Sequence, residues 1–213
     1  MSEKTVVDVH PLAAKPGASA QDRFLVGFSD GTTLKTTLSV VADHHLRAGR
    51  VLTAEEYAAV CGDTALAATK QRALRIIGTR SFSSQELYDR LMEKGEDPHH
   101  SAAAVAWLCE LHLLDDAEYA GMVARHYAQK GYGLARIKQE LYRRKVPSEY
   151  WEDALASLPD AEEKIDRLLR SKLRSETPDR AELKKATDAL YRRGFSWEEI
   201  RAALARYQSE MED

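Results

Sequence analysis

The stretch that decides the fold runs from Leu111 to Lys145 and reads LHLLDDAEYAGMVARHYAQKGYGLARIKQELYRRK. Asp115 is suited to cap a new helix through its side-chain oxygen, and Glu118 stands three residues later, as a capping box requires. Apolar residues then follow the spacing of one buried helical face, at Tyr119, Val123, Ala124 and Tyr127. The pattern predicts that one helix ends near Leu111 and that another begins beside Asp115.

A glycine turn separates this helix from the next one. Gly131 and Gly133 predict a turn whose backbone takes positive φ, a conformation that glycine adopts without strain. The 3.6-residue apolar period of a helix then restarts at Leu134, Ile137 and Leu141. Seven basic residues and one acidic residue, Glu140, lie between positions 125 and 145. The helix that follows the turn is therefore predicted to be strongly basic.

Three segments of five residues recur along the chain: Leu91–Gly95, Leu141–Lys145 and Leu190–Gly194. They superimpose at spacings of 50 and 49 residues, and each is followed by a loop and a helix-start signal. Self-similarity at a fixed period is typical of repeat architectures, in which each unit packs mainly on its neighbours. The sequence therefore predicts a mainly α fold of three tandem three-helix repeats in an elongated, curved array. The predicted repeats are residues 63–115, 116–158 and 159–208, followed by a tail at 209–213.

The first 62 residues have a different composition. Strand-like runs of β-branched and aromatic residues occur at Lys4–His10, Arg23–Phe28 and Thr32–Leu38. Ser29–Gly31 predicts a tight turn between the last two runs, and Pro11–Gln21 predicts a loop between the first two. The chain is thus predicted to begin with a small β-hairpin and short helices, which pack on neighbouring helices because so small a sheet is marginal alone.

Composition excludes several classes of function. The net charge of −3 gives no basic footprint for the whole chain, and Cys61 and Cys109 match no zinc or redox spacing. Gly131 and Gly133 lack the later residues of a dinucleotide- or phosphate-binding loop, and no nucleophile–base pair is visible. No apolar run approaches the roughly 20 residues of a membrane helix, and the N-terminus lacks a secretory signal. We therefore predict a monomeric, cytoplasmic, non-enzymatic protein without catalytic residues, metal or cofactor.

Basic residues are concentrated on particular helices of the predicted repeats, whereas acidic residues gather between positions 149 and 163. Trp107, Trp151 and Trp197 lie on or beside the third helix of each repeat, where packing is a commoner role than stacking on bases. A basic surface that recurs from repeat to repeat suits a negatively charged polymer. The pattern indicates either a nucleic-acid backbone or the acidic groove of a protein filament.

Two sets of motifs in this chain resemble the RecX family. They are Leu113–Ala120 with Arg125, Lys130–Gly133 and Arg136–Leu141, and Arg80–Leu87 with Leu91 and Lys94–Gly95. The resemblance is strong over residues 70–158. The third repeat and the N-terminal hairpin resemble the family more in the layout of their elements than in their residues. Proteins of this family regulate the bacterial recombinase RecA. The resemblance therefore implies binding along the helical groove of RecA–DNA filaments and modulation, usually inhibition, of ATP hydrolysis, strand exchange and co-protease activity. His112 and Lys145-Val146 depart from the family, which commonly has glycine and Gly-Ile there.

Two sets of residues follow from the resemblance and from the charge pattern. The candidates for contact with the RecA–single-stranded DNA filament are Arg125, Lys130, Arg136, Lys138, Arg143, Arg144, Lys145, Arg192 and Arg193. The residues of the family motifs with an expected structural role are Glu86, Leu87, Leu114, Asp115, Asp116, Tyr119, Gly131, Ile137, Glu140 and Leu141. The alternative is a helical-repeat module that binds nucleic acid independently of RecA. Weak direct contact with DNA is left open in the leading hypothesis.

Overall fold

The structure, a computed structural model, describes residues 3–13, 23–173 and 178–212; most of the loop predicted at Pro11–Gln21 lies outside these ranges. It confirms the predicted mainly α fold with a small β segment near the N-terminus. The chain divides into two compact units. The first contains residues 1–80 and 88–110, and the second contains residues 81–87 and 111–213.

The first unit begins with a four-stranded antiparallel sheet in the order β3-β2-β1-β4. Its elements are β1 (Lys4–Pro11), β2 (Arg23–Phe28), β3 (Thr33–Thr37), helix α1 (Leu38–Asp43) and β4 (Val51–Leu52). The predicted hairpin is the β2–β3 pair, and Gly31 in its turn has φ of +81°. Strand β1 pairs with β2 of the hairpin, and β4 pairs with β1, so the sheet has four strands. A sheet of two strands alone would be only marginally stable.

Helix α2 (Ala54–Ile77) packs against this sheet and against α4 (Pro98–Glu110). It starts with a complete capping box between Thr53 and Glu56, and it runs without interruption through residue 62, where the first predicted boundary falls. The sheet and α2 enclose a core of Val6, Val26, Phe28, Val40, Leu46, Leu52 and Val60. Helix α3 (Ser84–Glu93) contributes its first turn to the second unit and the remainder to the first.

The second unit is entirely helical within the described residues. Its helices are α5 (Asp116–Gln129), α6 (Leu134–Arg143), a 3₁₀ turn (Ser148–Tyr150), α7 (Trp151–Ala156), α8 (Glu162–Lys172), α9 (Arg180–Arg192) and α10 (Trp197–Glu212). Helices α5, α6 and α7 share a core that includes Val123, Ile137, Leu141 and Ala154. Helices α8, α9 and α10 share a second core around Ile165, Leu169, Leu190 and Ile200. Helix α10 extends to Glu212, through most of the segment predicted as a tail.

The three recurring segments end their helices in the same way. In each, the N–H group of the residue after the segment donates to the carbonyl of its first leucine: Glu96 to Leu91 (3.2 Å), Val146 to Leu141 (3.1 Å) and Phe195 to Leu190 (3.3 Å). The last residue of each segment has positive φ, as this type of helix cap requires: Gly95 at +80°, Lys145 at +54° and Gly194 at +91°. The repeated sequence therefore encodes a repeated helix stop.

Candidate partner-binding surface

Helix α6 positions most of the basic residues predicted to bind a partner. Gly133 stands at its N-cap, and Ile137 and Leu141 on one side are buried against α5 and α7. Their burial fixes the rotation of the helix, because apolar residues at this spacing must face the core. Lys138 and Arg143 are consequently exposed to solvent.

Glu140 is the centre of a cluster of charges on α6. Its side chain is only 4% exposed, accepts hydrogen bonds from Arg143 (2.9 Å) and from Arg144, and forms an ion pair with Arg136 (3.2 Å). Burial alone would raise the pKa of this carboxyl, but the hydrogen bonds from Arg144 and Arg143 outweigh burial and hold the pKa below its ordinary value. The lone acid of the basic stretch therefore holds three guanidinium groups in place.

Two tyrosines flank this cluster. The Nη2 group of Arg144 donates to the Tyr127 hydroxyl over 3.3 Å, and its guanidinium lies 5.3 Å from the centre of the Tyr127 ring. The Tyr132 ring is 5.6 Å from the Tyr127 ring, and the ammonium of Lys130 lies 5.8 Å from the latter. An open pocket of about 450 Å³ is lined by Tyr127, Lys130, Tyr132, Arg136, Gln139, Glu140 and Arg143. Its walls are polar, and three of the seven lining residues are cationic.

The predicted partner-binding residues differ in exposure. Seven are exposed to solvent: Arg125, Lys130, Arg136, Lys138, Arg143, Lys145 and Arg192. Arg144 is mostly buried, because its guanidinium lies between Glu140 and Tyr127. The half-buried Arg193 donates to the carbonyls of Lys130 and Gly131, each over 3.3 Å, and stacks 5.5 Å from the Tyr132 ring. Arg144 and Arg193 thus have contacts within the unit that charge counting did not anticipate.

The residues of the family motifs lie mostly inside the unit or at helix ends. Those with buried side chains are Leu87, Leu114, Tyr119, Ile137, Glu140 and Leu141, whereas Glu86 lies half-buried in the first turn of α3. Gly131 has φ of +75°, as predicted, but Gly133 has φ of −81°, so the prediction of positive φ was wrong for Gly133.

The adjacent carboxylates of Asp115 and Asp116 have separate partners. Asp115 caps α5 by accepting from the N–H group of Glu118 over 2.9 Å. Asp116 accepts from the backbone N–H of Ser84 (2.8 Å) and from its hydroxyl (2.5 Å), at the start of α3. The two acids therefore stabilise two different helix starts, where a negative charge is favourable.

An exposed aromatic residue was missed by the analysis of charge. Tyr142 is 76% exposed at the end of α6, beside a pocket of about 490 Å³. The pocket is lined by Gln85, Tyr142, Arg143, Lys145, Val146, Ser148 and Trp151. The signal was present in the sequence, because Tyr142 occupies the same position in its repeat as Tyr191, which is also exposed.

Residues 3–13, 23–173 and 178–212 contain no group of three histidine, cysteine, aspartate or glutamate side chains that could hold a metal ion. Over the same ranges, no helix is both long enough and apolar enough to cross a membrane.

Two family models match the helical region. Residues 115–155 match the second three-helix domain of RecX, and residues 160–204 match the third. The computed fold also resembles a crystal structure of regulatory protein RecX, with a TM-score of 0.79 and 18% identity over 95% of this chain and 99% of the other. RecX from Lactobacillus salivarius matches with a TM-score of 0.63 and 21% identity over 68% of this chain and 97% of the other. At these identities, the two structures show a shared fold alone.

Curated sequences give the closer relationship. Regulatory protein RecX from Xanthomonas axonopodis pv. citri (strain 306) is 37% identical over 135 residues, which cover 62% of this chain and 83% of the relative. Regulatory protein RecX from Vibrio parahaemolyticus serotype O3:K6 (strain RIMD 2210633) is 30% identical over 139 residues, covering 64% and 90%. The motifs, the repeated helix stops and these matches lead to one conclusion: the chain belongs to the RecX family of regulatory proteins.

Proposed function

We propose that this chain binds RecA and RecA–single-stranded DNA filaments along the helical groove, as a cytoplasmic, non-enzymatic regulator of recombination and DNA repair. It inhibits ATP hydrolysis, strand exchange and the co-protease role of the filament. The family's relation to RecA supports this partner, and the recurrence of basic helices in the chain supports a polymer with a repeating acidic surface.

The observation that carries the proposal is the arrangement of charge on α6. Glu140, the one acid between residues 125 and 145, is buried, whereas Lys138 and Arg143 are exposed. The surface therefore presents positive charge that no neighbouring exposed acid of this stretch offsets. Because Glu140 also fixes Arg136 and Arg143, little side-chain entropy is lost when these guanidinium groups meet a carboxylate or phosphate.

Binding alone does not explain inhibition. A ligand shifts an equilibrium only as far as its affinities for the two states differ. We infer that the filament has a state that hydrolyses ATP slowly and that the chain binds this state more tightly than the active state. Contact with more than one protomer would strengthen this effect, because the second contact forms at high effective concentration.

The proposal is tested by co-sedimentation with RecA assembled on single-stranded DNA, combined with the DNA-dependent ATPase assay. Lys138→Glu reverses an exposed charge on α6, and Lys35→Glu reverses a charge that is also exposed, on β3, as a matched control. We expect Lys138→Glu to weaken binding and inhibition by about tenfold, in keeping with one or two lost charge contacts. Unchanged inhibition by Lys138→Glu would contradict the assignment of this surface.

The second candidate function is a nucleic-acid-binding module that acts without RecA. The rings of Tyr127 and Tyr132 line a pocket together with Lys130 and Arg136. This arrangement favours the second candidate, because single strands bind surfaces that combine cations with stacking platforms. This function predicts binding to naked DNA whose log affinity falls with log salt concentration by about 0.7–0.9 per phosphate contacted. Absence of a complex with DNA at low salt without RecA would exclude it.

A further inference from the structure

Repeats two and three differ at one position beside their exposed tyrosines. The 49-residue spacing places Tyr142 opposite Tyr191 and Val146 opposite Phe195, and both Val146 and Phe195 are buried. The same spacing places Ser148 opposite Trp197. One repeat therefore carries a large aromatic side chain at a place where the other carries a small hydroxyl.

The consequence of this difference is visible in the structure. In repeat three, the indole of Trp197 stacks on the Tyr191 ring with 5.0 Å between ring centres and 20° between ring planes. In repeat two, the space beside Tyr142 is the open pocket of about 490 Å³. Repeat three thus shows that a planar aromatic side chain fits against the tyrosine at this position of the repeat.

The pocket in repeat two combines an apolar floor with a basic rim. Val146 is buried beneath it, and Trp151 is fixed by a hydrogen bond from its indole nitrogen to the Val146 carbonyl over 3.0 Å. Arg143 and Lys145, both exposed to solvent, also line the pocket. Tyrosine, tryptophan and arginine are the residues most enriched at the energetic centres of protein interfaces.

We propose that this pocket binds an aromatic side chain of the protein partner, which takes the place that Trp197 holds in repeat three. The basic rim favours a partner segment in which an acidic residue lies next to the aromatic one. The identity of the partner as RecA rests on the function proposed above, whereas the chemistry of the occupant does not.

A protein partner fits this pocket better than a nucleic-acid base does. Three exposed acids follow Ser148 directly along the chain: Glu149, Glu152 and Asp153. They repel a phosphate backbone that would have to run past the pocket when a base enters it, because like charges at short range oppose binding. A protein segment with one acidic residue beside its aromatic side chain brings a single negative charge, which Arg143 and Lys145 can offset, instead of the continuous row of charges of a phosphate backbone.

The first experiment tests the pocket without any partner. The full chain is titrated with N-acetyl-tryptophanamide, and separately with thymidine monophosphate, while NMR signals of Tyr142, Val146 and Trp151 are followed. We expect saturable shifts with the tryptophan derivative at millimolar concentration, and a loss of affinity of tenfold or more in Ser148→Trp, which installs the residue of repeat three. Ser39→Trp adds the same side chain at an exposed serine of α1, outside the pocket, and as the matched control it should bind as the unmodified chain does.

Two outcomes of this titration would overturn the proposal. One is the absence of saturable shifts up to about 10 mM of the tryptophan derivative, since such an affinity is weak even for a fragment. The other is tighter binding of the nucleotide than of the tryptophan derivative, which would assign the pocket to a base.

The second experiment measures co-sedimentation of the same variants with RecA filaments. We expect Tyr142→Ala and Ser148→Trp each to weaken binding by tenfold or more, with Ser39→Trp unchanged. If the unmodified chain binds filaments and both variants bind equally well, the pocket proposal fails while the proposed function stands. If the unmodified chain does not bind filaments, the proposed function fails and the titration alone decides the pocket.

Discussion

The backbone N–H of Gly133 donates to the carbonyl of Arg193 over 2.9 Å, so that the start of α6 meets the end of α9. Ala135, two residues later, donates to the carbonyl of Gly194 over 3.1 Å. The first N–H groups and the last carbonyl groups of any helix have no hydrogen-bond partners within that helix. Here the N–H groups at the start of α6 bond to the carbonyl groups at the end of α9. The contact joins repeats two and three through the backbone rather than through apolar packing alone.

This contact requires glycine on both sides. A Cβ atom at Gly133 would collide with the Gly194 carbonyl, and a Cβ atom at Gly194 would collide with the backbone nitrogen of Arg136. We predict that Gly133→Ala lowers the free energy of unfolding by about 1–3 kcal/mol, the usual cost of forcing atoms into a packed site. Urea unfolding followed by circular dichroism measures this change.

Gly62 provides the matched control for this substitution. It lies inside α2, and a Cβ atom there would meet nothing within 4 Å. Gly62→Ala should raise stability by about 0.5–1 kcal/mol, because alanine loses less backbone entropy in a helix. Equal effects of the two substitutions would show that the contact between α6 and α9 does not form.

Glu140 makes the stability of the chain depend on pH. Its pKa in the folded protein is held below the ordinary value of 4.5 by the arginines around it. A group with a lowered pKa contributes stability that is present above the unfolded pKa and is lost as pH falls through the folded pKa. We predict that Glu140→Gln is less stable than the unmodified chain at pH 7 and that the difference shrinks below about pH 4.5.

Thermal or urea unfolding at a series of pH values checks this prediction. The difference between the two proteins should be constant from pH 7 to about pH 5, since the carboxyl is ionised in both the folded and unfolded states over that range. A difference that grows as pH falls would mean that the pKa of Glu140 is raised rather than lowered.

Local sequence signals predicted much of the fold. The cap at Asp115, the left-handed Gly131 and the repeated helix stops each depend on residues within a few positions of one another. Contacts between distant segments were not predictable in the same way. Gly133 reads as a second turn glycine, but its role is the close approach of Gly194, which is 61 residues away.

The candidate site shows the same division between local and distant information. The nine basic candidates were visible, but their number did not indicate that Arg144 and Arg193 are used inside the unit. Helical spacing of Arg136 and Arg144 on either side of Glu140 could have predicted the cluster of charges, since residues four apart share a face. The pocket beside Tyr142 could not be predicted in this way, because it exists where Ser148 has a small side chain in place of the tryptophan of repeat three.

His112 holds a strained backbone conformation where the family commonly has glycine. Its φ is +54°, a region that residues with a Cβ atom adopt at a cost of about 1–2 kcal/mol. We predict that His112→Gly raises the free energy of unfolding by about 0.5–1 kcal/mol. The substitution removes the backbone strain, and the larger conformational entropy of glycine in the unfolded chain offsets part of this gain. Urea unfolding provides the measurement, and Gly131→Ala, at φ of +75°, should change stability in the opposite direction.

Arg143 and Arg144 are neighbours with the same charge, and the structure gives them different roles. Arg143 is 69% exposed, whereas Arg144 is 24% exposed and contacts both Glu140 and Tyr127. We predict that Arg143→Ala weakens filament binding and changes stability by less than about 1 kcal/mol, because the Arg143 side chain is mostly in solvent and Glu140 keeps Arg136 and Arg144 as partners. Arg144→Ala should lower stability by about 2–3 kcal/mol, because a buried carboxylate loses one of its partners.

Parallel measurements of urea unfolding and filament co-sedimentation separate the two roles. A double variant that reverses both charges would not separate these roles, because a loss of binding could then result from partial unfolding. A large loss of stability in Arg143→Ala, with binding retained, would move this residue from the partner-binding surface to the framework that supports it. In that case, Lys138 would carry the contact on α6, since it is exposed and lies one residue after the buried Ile137 that fixes the rotation of the helix.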